Sequence, residues 1–194
     1  MTGRRQSSGR WWRMTDNAGP GGGEIEMDVT TLFALGARVG DRLAARGETI
    51  AVAESSGGGL LSAALLARAG ASAYFLGGAV LYTRRSRALL TALTADDLAG
   101  MRSSSPPYAA LLARHQRERF GATWGLAETG AAGPTGNSYG DPAGHSCLAV
   151  HGPLLRERLL RTGSAGRAAN MVAFAIAALE LLEAAIDAAP PQGR

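Results

Sequence analysis

Short apolar runs of strand length alternate along this chain with longer segments of helical period, and that alternation leaves few architectures open to it. Asp28-Val29-Thr30-Thr31 predicts a helix cap, followed by Leu32, Leu35, Val39 and Leu43 on one face and a stop at Arg46-Gly47. The β-branched, apolar run Thr49–Ala53 then reads as a short buried strand. Gly57, Gly58 and Gly59 open a helix whose apolar face includes Leu60, Leu61, Ala64 and Leu65, running to about Ala69. A strand from Phe75 to Tyr82 and a short helix near Ser86 to Thr91 follow, and Leu98 to Pro107 is irregular. Pro107 starts a helix to Phe120, since proline suits a first helical turn. Strands at Ala122–Glu128, Ser146–Val150 and Leu154–Arg161 precede a long helix, Ala168–Ala188. The alternation predicts a single-domain layered α/β/α sandwich with a mixed sheet, spanning residues 28–189.

Composition fixes what surrounds that domain. At 194 residues and 46% hydrophobic, the chain is long enough for one domain with a real core and too short for two ordinary ones. All 20 basic residues are arginine, and the net charge of +4 is carried by Arg4, Arg5, Arg10 and Arg13. The body is therefore neutral overall, which argues against a nucleic-acid-binding face there. Residues 1–27 read as a disordered basic tail and glycine-rich linker, with a transit peptide, a nucleic-acid or lipid contact through Arg10-Trp11-Trp12-Arg13, and an upstream start before Met14 or Met27 all open. Residues 190–194 form a short tail. A lone cysteine, Cys147, in an apolar strand reads as a small core residue in a reducing, cytoplasmic setting. Every long apolar run is interrupted by charge, so no membrane partner is expected.

The turn after the first strand carries the chemistry. A strand that passes through a glycine turn into a helix leaves backbone N–H groups at the helix start without intrahelical partners, a seat for an anion or a developing oxyanion. Ser55 and Ser56 stand at that edge. The alternative is structural: both serines cap the helix and the glycines only turn the chain.

Glu54-Ser55-Ser56-Gly57-Gly58, then Ala71-Ser72-Ala73-Tyr74-Phe75, Gly77-Gly78-Ala79-Val80-Leu81-Tyr82 and Thr129-Gly130-Ala131-Ala132-Gly133-Pro134, in this order, resemble the C-terminal domain of the CinA (competence/damage-inducible protein) family over roughly Leu32 to Leu182. The resemblance implies the same layered α/β fold, a homodimer, no cofactor, and hydrolysis of the carboxamide of nicotinamide mononucleotide. It places Ser55 on the family's nucleophilic serine, with Tyr82 and Thr129 as polar supports and Ser56, Gly57, Gly58 and Gly133 at the ligand. The second, molybdopterin-binding-like domain of full-length members has no counterpart here.

Arg87 is the departure that matters most, because the family has a lysine there that activates the serine. A desolvated lysine can take a serine proton; a guanidinium stays charged and cannot. Arg87 can grip a phosphate or steady an oxyanion, and the chain holds no lysine at any position. Of the three histidines, His115 reads as structural and His151 as a loop residue. His145 falls where the family carries threonine, at the end of a glycine-rich loop, and is the candidate for ligand contact or base. Arg167 reads either as a ligand-pocket arginine or as the opening residue of the last helix. The histidines lack neighbours at ligand spacing, so no metal is expected. Two readings follow: an amidohydrolase acting on a pyridine nucleotide, or a non-catalytic module binding a small nucleotide in the same pocket.

Overall fold

The computed structural model describes residues 28–191, and the expectations for the basic tail and for Gln192–Arg194 lie outside them. Five strands form one sheet in the order β2-β1-β3-β4-β5. Strand β1 (Ile50–Glu54) lies parallel to both β2 (Phe75–Val80) and β3 (Trp124–Ala131), whereas β4 (His145–His151) and β5 (Leu155–Arg161) continue antiparallel from β3. The expected mixed sheet and layered α/β architecture are those observed.

Alternation along the strands sorts side chains between two unlike cores. Ile50 and Val52 of β1, Trp124 and Leu126 of β3, and Leu148 and Val150 of β4 join a large-residue core under helices α1 (Val29–Arg46), α2 (Leu60–Leu66) and α5 (Arg167–Ala188). On the opposite face Ala53, Ala127, Cys147 and Ala149 meet α4 (Pro106–Phe120) through Tyr108, Ala109, Leu112 and Ala113. Small residues let α4 lie close. At Gly125 a Cβ would run into the carbonyl of Ala113, so helix and strand are separated by backbone alone.

Helix α1 begins where the sequence places it, with Asp28 Oδ1 accepting from the Thr31 N–H at 2.7 Å, and ends at Gly47 in the left-handed region. Helix α5 has the length and apolarity of a membrane crossing, yet 61% of its most apolar window is buried in this fold. It is the central core helix here. Several boundaries differ from the expectation, among them β3, which runs Trp124–Ala131 instead of Ala122–Glu128. Helix α2 stops at Leu66 rather than Ala69, β2 ends at Val80 before Tyr82, and His151 closes β4 instead of lying in a loop. The short helix α3 (Arg84–Leu90) starts two residues earlier than expected because Thr83 caps it, its hydroxyl accepting from the Ser86 N–H at 2.9 Å while Ser86 Oγ accepts from the Thr83 N–H.

Candidate functional site

Parallel strands β1 and β3 carry matching tripeptides toward their carboxyl ends, Ala53-Glu54-Ser55 and Ala127-Glu128-Thr129, and Ala53 pairs with Ala127 in register. The pleat then sends both glutamates to the α1/α2/α5 side and both hydroxyl residues to the α4 side. That single alternation separates a buried carboxylate floor from an open hydroxyl-lined pocket.

The floor is fully buried, with Glu54 and Glu128 both at 0% exposure. Glu54 caps α2: Oε2 accepts from the N–H groups of Gly59 (2.9 Å) and Leu61 (3.1 Å), and Oε1 accepts from the N–H (3.1 Å) and hydroxyl (2.7 Å) of Ser62. Glu128 holds the serine turn. Its Oε2 accepts from the N–H groups of Ser55 (3.1 Å) and Gly57 (2.7 Å), and its Oε1 accepts from Ser146 Oγ at 3.0 Å and from the Ser56 hydroxyl. Burial raises the Glu128 pKa and outweighs these four hydrogen bonds, each of which pulls it down.

This changes the expectation for the turn. The N–H groups of Gly57, Gly59, Leu61 and Ser62 at the start of α2 are taken by protein carboxylates, so the helix N-terminus is not an oxyanion or phosphate seat. Ser56, 4% exposed, faces Glu128 rather than ligand. Gly57 and Gly58 shape the turn instead of lining the pocket; Gly58 needs to be glycine for its φ of 68°. The glutamates themselves escaped the sequence reading. Their signal was present, since Ala-Glu-Ser and Ala-Glu-Thr each close an apolar strand, but a carboxylate at a strand end ordinarily marks solvent.

On the α4 side, Ser55, Tyr82, Arg87 and Thr129 come together in one pocket of about 210 Å³, brought from the β1 end, the β2–α3 link, α3 and the β3 end. Four of the residues singled out from the sequence thus converge. Arg84, Ser103, Ser104, Tyr108, Asn137 and Tyr139 complete most of the lining. No aspartate or glutamate lines it. The titratable side chains at the wall are three phenols and two guanidiniums, so a general base drawn from the lining is a phenolate.

Arginines brace the three phenols. Arg87, in place of the family's lysine, donates from Nη1 to Tyr108 Oη at 3.3 Å, with its Cζ 5.9 Å from the ring centre. Arg167 lies outside the pocket lining: it donates to Tyr82 Oη at 3.0 Å and to the Gly133 carbonyl at 2.7 Å, tying Tyr82 to the loop after β3. Its position, and that of Gly133, is that of a support behind the wall. Arg102 sits 5.9 Å from the Tyr139 ring centre and is anchored by Asp141, Nη1 to Oδ2 at 2.5 Å and Nη2 to Oδ1 at 3.0 Å. Hydrogen bonds from Ser103 and Arg84, helped by the charges of Arg84 and Arg87, hold the Tyr139 phenol below its usual range against the opposing effect of burial.

His145 is neither at the pocket wall nor free. It is 3% exposed, and its Nε2 lies 3.0 Å from the Ser104 carbonyl. A carbonyl only accepts, so Nε2 carries the proton in this contact. Ser104 holds φ at 56°, uncommon for a residue with a side chain, and its carbonyl also accepts from Cys147 Sγ at 3.4 Å. His145 therefore fixes a strained pocket residue from behind, and the expected ligand contact or base role is not what the structure shows. Cys147 is confirmed as a core residue, with burial pushing its thiol up to about 11. His115 is half-buried on α4 and away from the wall, as expected. Among the described residues no group of His, Cys, Asp and Glu could hold a metal ion.

The family model described as the CinA C-terminal domain matches residues 32–186. A CinA-like protein of Anaeromyxobacter sp. (strain K) is 39% identical over 147 residues, covering 75% of this chain and 36% of that protein. The chain spans about a third of the length of the curated relatives it matches. Among solved structures, the competence/damage inducible protein CihA from Agrobacterium tumefaciens superposes with a TM-score of 0.73 at 30% identity, covering 81% of this chain and 96% of that one. A competence-damaged protein (CinA) superfamily protein from Klebsiella pneumoniae 700603 gives 0.74 at 27% identity, covering 80% and 98%.

Proposed function

Because the chain belongs to the CinA C-terminal domain family, and because its pocket gathers a serine, phenols and guanidiniums, we propose that it hydrolyses the carboxamide of a pyridine nucleotide such as nicotinamide mononucleotide. The observation that carries this is the convergence of Ser55, Tyr82, Arg87 and Thr129 from four separate segments on one carboxylate-free wall. Such a wall admits a phosphate without like-charge repulsion. The phenol rings offer π faces to a cationic pyridinium.

Ser55 Oγ attacks the carboxamide carbon, its proton passing to a base and then to the departing nitrogen; the C–N bond breaks, ammonia leaves, and water hydrolyses the acyl-serine to the carboxylate. With lysine absent, the proposed acceptor of that proton is Tyr139, which shares the pocket wall with Ser55 and whose phenolate Ser103 and Arg84 favour. Arg87 cannot serve as base. It steadies negative charge on the phosphate or the tetrahedral oxygen, with the Thr129 hydroxyl beside it. The buried glutamates hold the turn that presents Ser55. Cys147, buried and protonated, suits the reducing cytoplasm.

Ammonia release from nicotinamide mononucleotide by the purified protein tests the reading. Ser55→Ala should abolish release while nucleotide affinity stays within a few-fold, because the hydroxyl acts in bond making. Nucleotide binding without ammonia release at any pH between about 5 and 9 would leave only the binding module.

A further inference from the structure

We propose that the cleft takes a pyridine nucleotide with two phosphoryl groups, a pyrophosphate-linked dinucleotide, seating the second phosphoryl in an outer lobe beyond Arg84 and Arg87. The proposal deepens the amidase reading, on which it rests only for the reacting end of the ligand. The pocket that holds Ser55 adjoins a second concavity of about 260 Å³. Arg84, Arg87, Ser103 and Tyr139 border both lobes, and Leu98, Met101 and Arg102 line the outer one alone. Ligand sites commonly enclose roughly 300 to 1,000 Å³, so each lobe is small alone and the two joined fall within the range.

Charge argues for a ligand that bridges them. Arg84 and Arg87 stand one turn apart on α3, on one side of the helix, and among the described residues neither pairs with a carboxylate. The outer lining, like the inner, has no aspartate or glutamate. Two like charges held this close repel, and an anion between them reverses the sign of that interaction. A pyrophosphate diester carries one charge on each phosphoryl and so matches two guanidiniums that each face both lobes. Ser103 and the Tyr139 phenol stand at the junction as hydrogen-bonding groups. Asp141 fixes Arg102 at the outer wall, and Leu98 and half-exposed Met101 provide apolar surface for the nucleoside beyond the second phosphoryl.

Calorimetric titration of the full chain at fixed ionic strength with orthophosphate, pyrophosphate, nicotinamide mononucleotide and NAD+ tests this, with ammonia release followed in parallel. Pyrophosphate is expected to bind about tenfold tighter than orthophosphate, and NAD+ about tenfold tighter than the mononucleotide, the gain from one more phosphoryl contact. Met101→Glu places a carboxylate in the outer lobe at an exposed position and should bring both ratios close to one, whereas Met101→Leu should preserve them. Equal or tighter binding of the mononucleotide, ratios indifferent to Met101→Glu, or no binding of either anion would overturn the outer subsite. If the mononucleotide is still hydrolysed in that case, the amidase reading survives alone. Selective pyrophosphate and NAD+ binding without ammonia release would keep the subsite and remove the amidase.

Discussion

Glu128 offers a perturbation whose outcome can be worked out atom by atom. Its two oxygens face different partners: Oε2 meets two backbone N–H groups, which can only donate, and Oε1 meets the hydroxyls of Ser56 and Ser146, which can donate or accept. Glutamine fits this asymmetry, with its carbonyl oxygen toward Ser55 and Gly57 and its amide nitrogen toward the hydroxyls. Glu128→Gln should therefore change unfolding free energy by less than about 1 kcal/mol near pH 5. Alanine removes every acceptor. It strands two buried N–H groups at about 1 to 3 kcal/mol each, so Glu128→Ala should cost about 2 to 6 kcal/mol before any cavity is counted. The pH dependence has a definite sign. Because burial raises the folded-state pKa above the unfolded value, the folded chain holds the proton more tightly, and its stabilising effect is fully present below the unfolded pKa. It is lost as pH rises through the folded pKa. Urea unfolding at a series of pH values from about 4 to 8 should show Glu128→Gln gaining on the wild type toward higher pH, since the amide never ionises. Parallel stability curves for the two proteins, or a glutamine variant as unstable as the alanine one, would refute the assignment of a buried, proton-retaining carboxyl under the serine turn.

The remaining predictions concern the pocket. Arg87→Lys restores an amine that can lose its proton beside the positive Arg84, and should raise ammonia release by about tenfold or more; unchanged turnover in a folded variant would count against a pocket built on the family's catalytic geometry. Tyr139→Phe should cost on the order of 10²-fold in kcat and remove the basic rise of the pH–rate profile if the phenolate is the base, and a profile that keeps its shape would assign the proton elsewhere. His145→Asn should lower stability and raise KM by loosening Ser104, while kcat falls less than about tenfold; a loss of 10²-fold in kcat with KM unchanged would return the histidine to catalysis.

The elements were legible in the sequence because each rests on a local signal. The α1 cap at Asp28, the stop at Gly47 and the buried run ending at Ala53 need nothing beyond their neighbours. Ser55, Tyr82, Arg87 and Thr129 were found through separated motifs, and the parallel pairing of β1 with β3, Ala53 opposite Ala127, sets Ser55 and Thr129 at neighbouring positions of the wall they share with Tyr82 and Arg87. Ligand-binding residues generally gather beyond the carboxyl ends of parallel strands in open α/β sheets, where neighbouring strand ends are followed by different turns. Tyr139 and Arg102 were not legible, since they reach the cleft from loops that the Arg102–Asp141 pair ties together, a contact 39 residues apart in sequence, and Arg84 opens α3 at an exposed position with no motif to mark it.

Residues that sequence reasoning placed at the ligand and the structure places behind it share one cause. Ser56, Gly57, His145 and Arg167 each have a polar group that points to a partner inside the protein: a Glu128 oxygen for the first two, a backbone carbonyl and a phenol for the others. A polar residue beside a nucleophile is equally suited to touching substrate or to supporting the group that does, and one-dimensional spacing does not distinguish these. Strand parity does. Once Ala53 is paired with Ala127, Ser55 and Thr129 must face α4 while Glu54 and Glu128 face α2, so every hydrogen bond from the serine turn to Glu128 runs away from the pocket. The same parity accounts for how a neutral-bodied chain presents a cationic cleft: its two most buried carboxyl side chains lie on the sheet face opposite Ser55 and Thr129, engaged by backbone N–H groups and hydroxyls and not by Arg84 and Arg87.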